Sequence, residues 1–167
     1  RTIFNVNVTP QRRVATQATS LERLKAIGEE AGGSINDVVL AASSGAMRRF
    51  LLEIGELPRK SLVTSIPVAL PRDSSQAGGN AISFANVRLG TDIEDVRERF
   101  DVIRRSSTAG RDFLKQMSTK ALMDYTVLIS SPQILTRLPG IGSRVPPTYN
   151  VIISNVPGPR GKLYFLG

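Results

Sequence analysis

Histidine and cysteine are both missing from this 167-residue chain. Without imidazole there is no side chain that titrates, unperturbed, near neutral pH, so His general-base catalysis by its own residues is excluded. Without thiols, Cys nucleophiles, disulfides and the usual zinc sites are excluded too. Carboxylates, Lys and Tyr remain for acid–base work. Trp is absent and aromatics make up only 5% of residues. Those few are not interleaved with basic residues as a base-stacking surface requires, which argues against nucleic acid as a partner. No apolar run approaches the roughly 20 residues of a membrane span, and no basic-then-apolar leader opens the chain. The lack of Cys fits a reducing compartment.

What is present is ordinary for a packed domain. Apolar residues reach 41%, and the length suits one domain or a large piece of a two-domain enzyme. The formal charge is +8, from 22 Lys and Arg against 14 Asp and Glu. Such a balance points to anionic partners, whether cofactor phosphates, an acidic lipid surface or nucleic acid. The Arg residues alternate with acids, as in Asp92-Ile93-Glu94-Asp95-Val96-Arg97-Glu98-Arg99. That pattern predicts a solvated helix face with i,i+4 pairs. The first residue is Arg1 and the last, Gly167, follows directly on a predicted strand. Both ends are expected to be cuts in a longer polypeptide.

Periodicity predicts the order β-α-α-β-β-α-α-β-β, a layered α/β arrangement. A strand over 2–8 is followed by a helix capped by Ser20, with Leu21, Leu24 and Ile27 as its stripe. Ser34 opens a central helix running to about Ile54, with Ile35, Val38, Val39, Ala42, Ala46 and Phe50 on one face. Its small residues 41–46 predict a closely packed neighbour. Strands are expected at 61–70 and 80–89, with Pro67 marking an edge, a bulge or a ladder gap. Thr91 is expected to cap a helix to about Met117, with Ile93, Val96, Phe100 and Ile103 buried. A helix over 119–129, a short one restarting at Ser131-Pro132, a strand over 149–156 and a last strand over 162–166 complete the chain.

Three places offer chemistry. Asn36-Asp37 opens the central helix: Ser34 and Asp37 have capping-box spacing, and the same pair of residues is placed to brace a neighbouring loop or substrate. Gly79 and Asn80, with Gly78, form a loop where a backbone can approach a ligand or another segment, though a hairpin explains it equally. It is not a phosphate-cradling loop, because no Lys-Ser/Thr helix start follows. The run 149–156 reads as a strand apolar on both faces, ending in Ser154 and Asn155 and stopped by Pro157 and Pro159 around Gly158. Those polar groups are turn formers or the lining of a site.

In order and spacing, Gly32-Gly33-Ser34-Ile35-Asn36-Asp37-Val38-Val39-Leu40-Ala41, Ser65-Ile66-Pro67-Val68-Ala69 with its Gly-Gly-Asn loop, and Asn150 to Pro159 resemble the bacterial wax ester synthase/diacylglycerol acyltransferase family. The resemblance covers essentially the whole chain but only the C-terminal half of that family, so residues 1–167 are read as its C-terminal domain without the extreme C-terminus. It implies a chloramphenicol acetyltransferase-like CoA-dependent acyltransferase fold of two related halves with a tunnel between them. It also implies O-acyl transfer from long-chain acyl-CoA, as co-substrate and not a bound cofactor, to diacylglycerol or a fatty alcohol. The general base is expected in a His-His-x-x-x-Asp-Gly segment of the missing N-terminal half, the implied partner, which leaves no catalytic residue here. By the same resemblance Asn36, Asp37, Gly79 and Asn80 lie at the tunnel or hold its structure, and Ser154 and Asn155 face the other half as oxyanion or interface groups. Arg12, Arg13, Arg72 and Arg160 are the candidates for CoA phosphates. No metal is implied, and the place of work is the cytoplasm or, peripherally, the inner membrane or lipid inclusions. The alternatives are another lipid alcohol as acceptor, or a non-enzymatic basic domain on an acidic lipid surface.

Overall fold

Three side chains that accept hydrogen bonds from first-turn backbone amides start three of the four helices among the described residues. The computed structural model describes residues 2–6, 9–69, 82–135, 147–156, 158 and 161. Ser20 caps α1 (Leu21–Glu30), Ser34 caps α2 (Ile35–Glu53) and Asp95 caps α3 (Val96–Lys115). The fourth helix is α4 (Thr119–Leu135). The strands are β1 (Val63–Ala69), β2 (Ile82–Arg88) and β3 (Val151–Ile152), in the sheet order β2-β1-β3. β1 runs antiparallel to β2, Val63 opposite Arg88 and Ala69 opposite Ile82, and parallel to β3. The layered α/β class expected from the sequence is the one observed.

Helices α3 and α4 cover one face of the sheet. The Cα of Gly110 comes so near β2 that a Cβ there would lie 3.1 Å from that of Ala85. Ser83 and Thr126 hydroxyls bond at 2.9 Å between β2 and α4. Leu40 and Leu51 of α2, Ile66 of β1, Ala85 and Val87 of β2, and Ile103 and Leu114 of α3 form one buried cluster. Burial on this scale contributes about 2 kcal/mol per large side chain.

Several expected elements differ. Residues 2–6 form a turn, not a strand: Asn5 N–H donates to Thr2 O at 2.9 Å, and its side chain is engaged elsewhere. Leu21 and Ile27, the expected buried stripe of α1, are 60% and 41% exposed, and Gly28 is buried in their place. On α2 the buried line is Asp37, Val38, Leu40, Ser44 and Leu51, while Ala42, Ala46 and Phe50 face outward. Ser44 decides the rotation, because its hydroxyl donates to Leu89 O at 2.6 Å. Gly45 has no close neighbour: a Cβ would meet only Arg99 Nη2, at an ordinary 3.7 Å. Gly45→Ala should therefore raise stability by about 0.5–1 kcal/mol through helix propensity. A lowered urea midpoint for that variant would show that the space is needed.

Thr91 is not a cap. It is fully buried and its hydroxyl oxygen accepts from Leu62 N–H at 2.8 Å, tying β1 to the chain leaving β2. Asp95 caps α3 instead, and Val96 is exposed. Arg99, expected on the solvated face, is only 7% exposed. Pro132 does not split α4. It cannot donate to Leu128 O, and the Ser131 hydroxyl does so at 2.7 Å. Pro67 marks a ladder gap: Val63 O and Ser65 O accept from β3-side amides, and Pro67 shares their direction but has no N–H to continue the pairing. Accordingly β3 is two residues long and, among the described residues, pairs only with β1; Ile152 is 59% exposed, in place of a buried strand over 149–156. The expected last strand over 162–166, Pro157 and Pro159 and the end of the short helix at 136–138 lie outside the described residues.

Candidate functional site

The joint between α1 and α2 begins with a Schellman turn, in which Gly32 at φ +64° lets Gly33 N–H reach Gly28 O at 2.8 Å. Ser34 follows, and its hydroxyl oxygen accepts from Asp37 N–H at 3.3 Å. Asp37 closes the capping box by accepting from Ser34 N–H at 2.9 Å, and it takes the Ser34 hydroxyl at 2.7 Å. Its other oxygen accepts the Ser107 hydroxyl of α3 and lies 3.8 Å from Arg111 Nη2. Arg111 also donates to Ser107 Oγ at 3.3 Å. The carboxylate is 2% exposed. Burial pushes its pKa upward most strongly of the single causes, but the Ser107 and Ser34 bonds and the Arg111 charge together hold it below the ordinary value. Asp37 is thus both cap and brace. It remains ionised, and its oxygens are occupied by this chain's own donors. Neighbouring Asn36 is half-buried.

A second knot ties the N-terminal turn to β3. Asn150 Oδ1 accepts from Val63 N–H at 2.9 Å, while Asn150 Nδ2 donates to Asn5 Oδ1 at 2.7 Å. Asn5 Nδ2 in turn donates to Tyr149 O at 3.1 Å. The Tyr149 phenol is held above its usual pKa by burial, so it stays protonated near neutral pH and is no base. Beyond this knot Ser154 and Asn155 follow β3 and are exposed. No hydrogen bond or ion pair among the described residues joins them to the Asp37 cluster. Gly79 and Asn80 lie outside the described residues, as do Arg72 and Arg160. Arg12 and Arg13 are exposed, Arg12 donating to the carbonyls of Thr9 and Gln11. Asp124 is on the surface and Tyr125 is half-buried. Among the described residues no three acidic side chains come together as a metal would need.

Ser107 and Arg111, absent from the expected site residues, leave a trace in the sequence. Ile103, Ser107, Arg111 and Leu114 follow one another at helical spacing, so a polar pair interrupts the buried stripe of α3. Such a pair under an apolar stripe needs a buried partner, and Asp37 is that partner.

A mixed sheet with helices packed on one face is the layering of the CoA-dependent acyltransferase fold typified by chloramphenicol acetyltransferase. The chain superposes on the wax ester synthase/diacylglycerol acyltransferase from Marinobacter aquaeolei VT8 with a TM-score of 0.80 and 32% identity, covering 95% of this chain and 35% of that one. The family model described as the WS/DGAT C-terminal domain matches residues 78–167, and that of the wax ester synthase/diacylglycerol acyltransferase catalytic domain matches residues 1–39. The chain belongs to the wax ester synthase/diacylglycerol acyltransferase family. A Mycobacterium tuberculosis protein named as a diacylglycerol O-acyltransferase is 40% identical over 168 residues, which is 99% of this chain and 34% of that protein. One from Mycobacterium bovis is 40% identical over 167 residues, or 100% of this chain and 37% of the relative. The chain therefore spans about a third of the length of the relatives it matches. Asn36 and Asp37 fall within the catalytic-domain match, Ser154 and Asn155 within the C-terminal one.

Proposed function

We propose that this chain is the C-terminal portion of an O-acyltransferase that moves a long-chain acyl group from acyl-CoA to diacylglycerol or a fatty alcohol. The observation that carries the reading is the 0.80 TM-score over 95% of the chain to an enzyme named for both activities. In such a transfer a base removes the acceptor's hydroxyl proton, the oxygen attacks the thioester carbonyl, and the tetrahedral oxyanion expels the CoA thiolate. The thiolate leaves as the thiol with that proton. A base poised near neutral pH is needed, and this chain has no His. The base is assigned to an N-terminal half of the same enzyme, without which this portion is inactive.

The exposed surface is consistent with a partner half. Met123, Val127 and Leu128 of α4 are 56%, 70% and 70% exposed, and Val156 beyond β3 is 75% exposed. Ser154 and Asn155, next to Val156, are assigned to the meeting of the halves, where an amide or hydroxyl donor would stabilise the oxyanion. Asp37 shapes the tunnel indirectly by fixing α2 against α3, and Gly79-Asn80 is assigned to its wall. The net charge of +8 favours peripheral work at an acidic lipid surface. No helix among the described residues is long and apolar enough to cross a membrane.

The full-length protein, given radiolabelled palmitoyl-CoA with diacylglycerol or a long-chain alcohol, should form labelled triacylglycerol or wax ester. Absence of neutral-lipid product with every alcohol in a panel would refute the activity. In the same assay Asn155→Ala should lower kcat by about tenfold, the loss of one good donor, with an unchanged melting temperature. Turnover within a few-fold of the parent would remove Asn155 from the reaction.

A further inference from the structure

At the C-terminal end of α2, away from both the Asp37 cluster and the β3 edge, lies a cleft of about 250 Å³. It is lined by Gly45, Arg48, Arg49 and Leu52 with Glu53, and by Glu94 and Arg99 at the start of α3. Arg99 is 7% exposed, which is unusual for a guanidinium without a carboxylate partner. Its stem passes over Gly90, where a Cβ would stand 3.1 Å from Arg99 Cγ, and its Nη2 reaches over the bare helix surface at Gly45. Its Nη1 donates to the carbonyls of Ile93 and Glu94 at 2.8 and 3.2 Å. Arg48 Nη1 donates to Thr91 O at 2.8 Å. Neither Arg48 nor Arg99 forms a salt bridge among the described residues, whereas Glu53 is engaged by Arg49 at 2.9 Å.

Carbonyls orient these two guanidiniums but do not neutralise them. Each guanidinium has five N–H donors, so most remain unused after the carbonyl bonds. Burial first, and then the charge of Arg48, hold Arg99 below its ordinary pKa, and the nearby Asp95 carboxylate offsets them only in part. A buried charge with no carboxylate at ion-pair distance is costly, and an anion in the cleft would reduce that cost. With three guanidiniums against two carboxylates the cleft stays net positive. Two planar donor forks converging on one space fit the oxygens of a phosphate better than a single carboxylate. The volume is below that of a whole cofactor pocket and suits a phosphate group with little more attached.

We infer that the Arg48–Arg99 cleft binds a phosphate group of a ligand, and that this is a nucleotide phosphate of acyl-CoA. The assignment to acyl-CoA rests on the acyltransferase reading; the phosphate site itself does not. In the full-length protein Arg48→Gln should raise KM for palmitoyl-CoA and the calorimetric Kd for CoA by about tenfold with kcat held, the effect of one charged hydrogen bond. KM for palmitoyl-pantetheine, which lacks the nucleotide, should not move. Arg97→Gln, which removes the same charge from an exposed position, should change none of these, and Arg99→Gln should repeat the effect of Arg48→Gln.

Vesicle cosedimentation separates the two sources of phosphate. If Arg48→Gln leaves CoA binding intact but weakens partition to phosphatidylglycerol vesicles, relative to phosphatidylcholine, the phosphate site stands with a lipid headgroup as its source. Unchanged CoA binding and unchanged partition together would overturn the site. Should the enzyme turn over no acyl-CoA at all, the acyltransferase reading falls while calorimetry and vesicles still decide the cleft.

Discussion

Replacing Asp37 with Ala is expected to cost about 2–4 kcal/mol of folding stability. About 1 kcal/mol is the lost half of the capping box, in which the Asp37 carboxylate accepts from Ser34 N–H at the positive end of α2. The remainder is the desolvation of donors left behind, because Ser107 Oγ and Arg111 then face an apolar methyl in a buried space. Asn in the same place should cost about half as much. Its amide nitrogen can turn toward Ser107, whose hydroxyl then rotates to Arg104 O at 3.2 Å. The oxygen side still receives the Ser34 donors, and only the charge opposite Arg111 is lost. The two variants separate in pH as well. The folded-state pKa of Asp37 lies below its ordinary value of 3.8, so its contribution is fully present above that value and disappears as pH falls through the lower, folded pKa. Urea midpoints measured from pH 7 down to pH 3 should therefore fall less steeply in Asp37→Asn than in the parent at the acid end. Identical acid slopes would mean that folding does not hold the Asp37 pKa below its ordinary value.

The same residues show which features a sequence exposes. The cap of α1, the Ser34–Asp37 capping box and the two main strands depend on local spacing, and they appear where that spacing puts them. Helix rotation does not. Both faces of α2 carry small or apolar side chains, so the pattern cannot choose between them, and a hydrogen bond from Ser44 to a carbonyl far along the chain makes the choice. Thr91 illustrates a related difficulty, since its spacing to Glu94 imitates a capping box while its hydroxyl is engaged by β1. The Asn5–Asn150 knot joins opposite ends of the chain and has no local trace. Arg99 was hidden for another reason. A charge run reads as a wet face, and only the fold reveals that Gly90 gives the stem of one member a path inward.

Gly33→Ala is the second substitution expected to have a large effect. The Gly33 backbone is not in the left-handed region, so the cost is steric alone. An added Cβ would sit 2.7 Å from Phe100 Cζ and 3.0 Å from Cε1. Phe100 is 9% exposed and fixed by the α3 stripe, so its ring has little room to retreat. Overpacking of this kind costs about 1–3 kcal/mol. Its signature is coupling: Phe100→Leu removes the colliding ring tip, so Gly33→Ala should be cheaper on that background than on the parent. Gly32→Ala supplies the contrast. Nothing lies within 4 Å of its Cβ position, but its φ of +64° strains any L side chain by about 1 kcal/mol, and Phe100→Leu should give no relief there. Strict additivity of Gly33→Ala with Phe100→Leu in a urea double-mutant cycle would place the ring elsewhere. Because Gly33 leads directly into Ser34 and Asp37, relief by Phe100→Leu would also show that the α1–α2 joint, and with it the Asn36-Asp37 pair, is positioned by how closely α3 can approach.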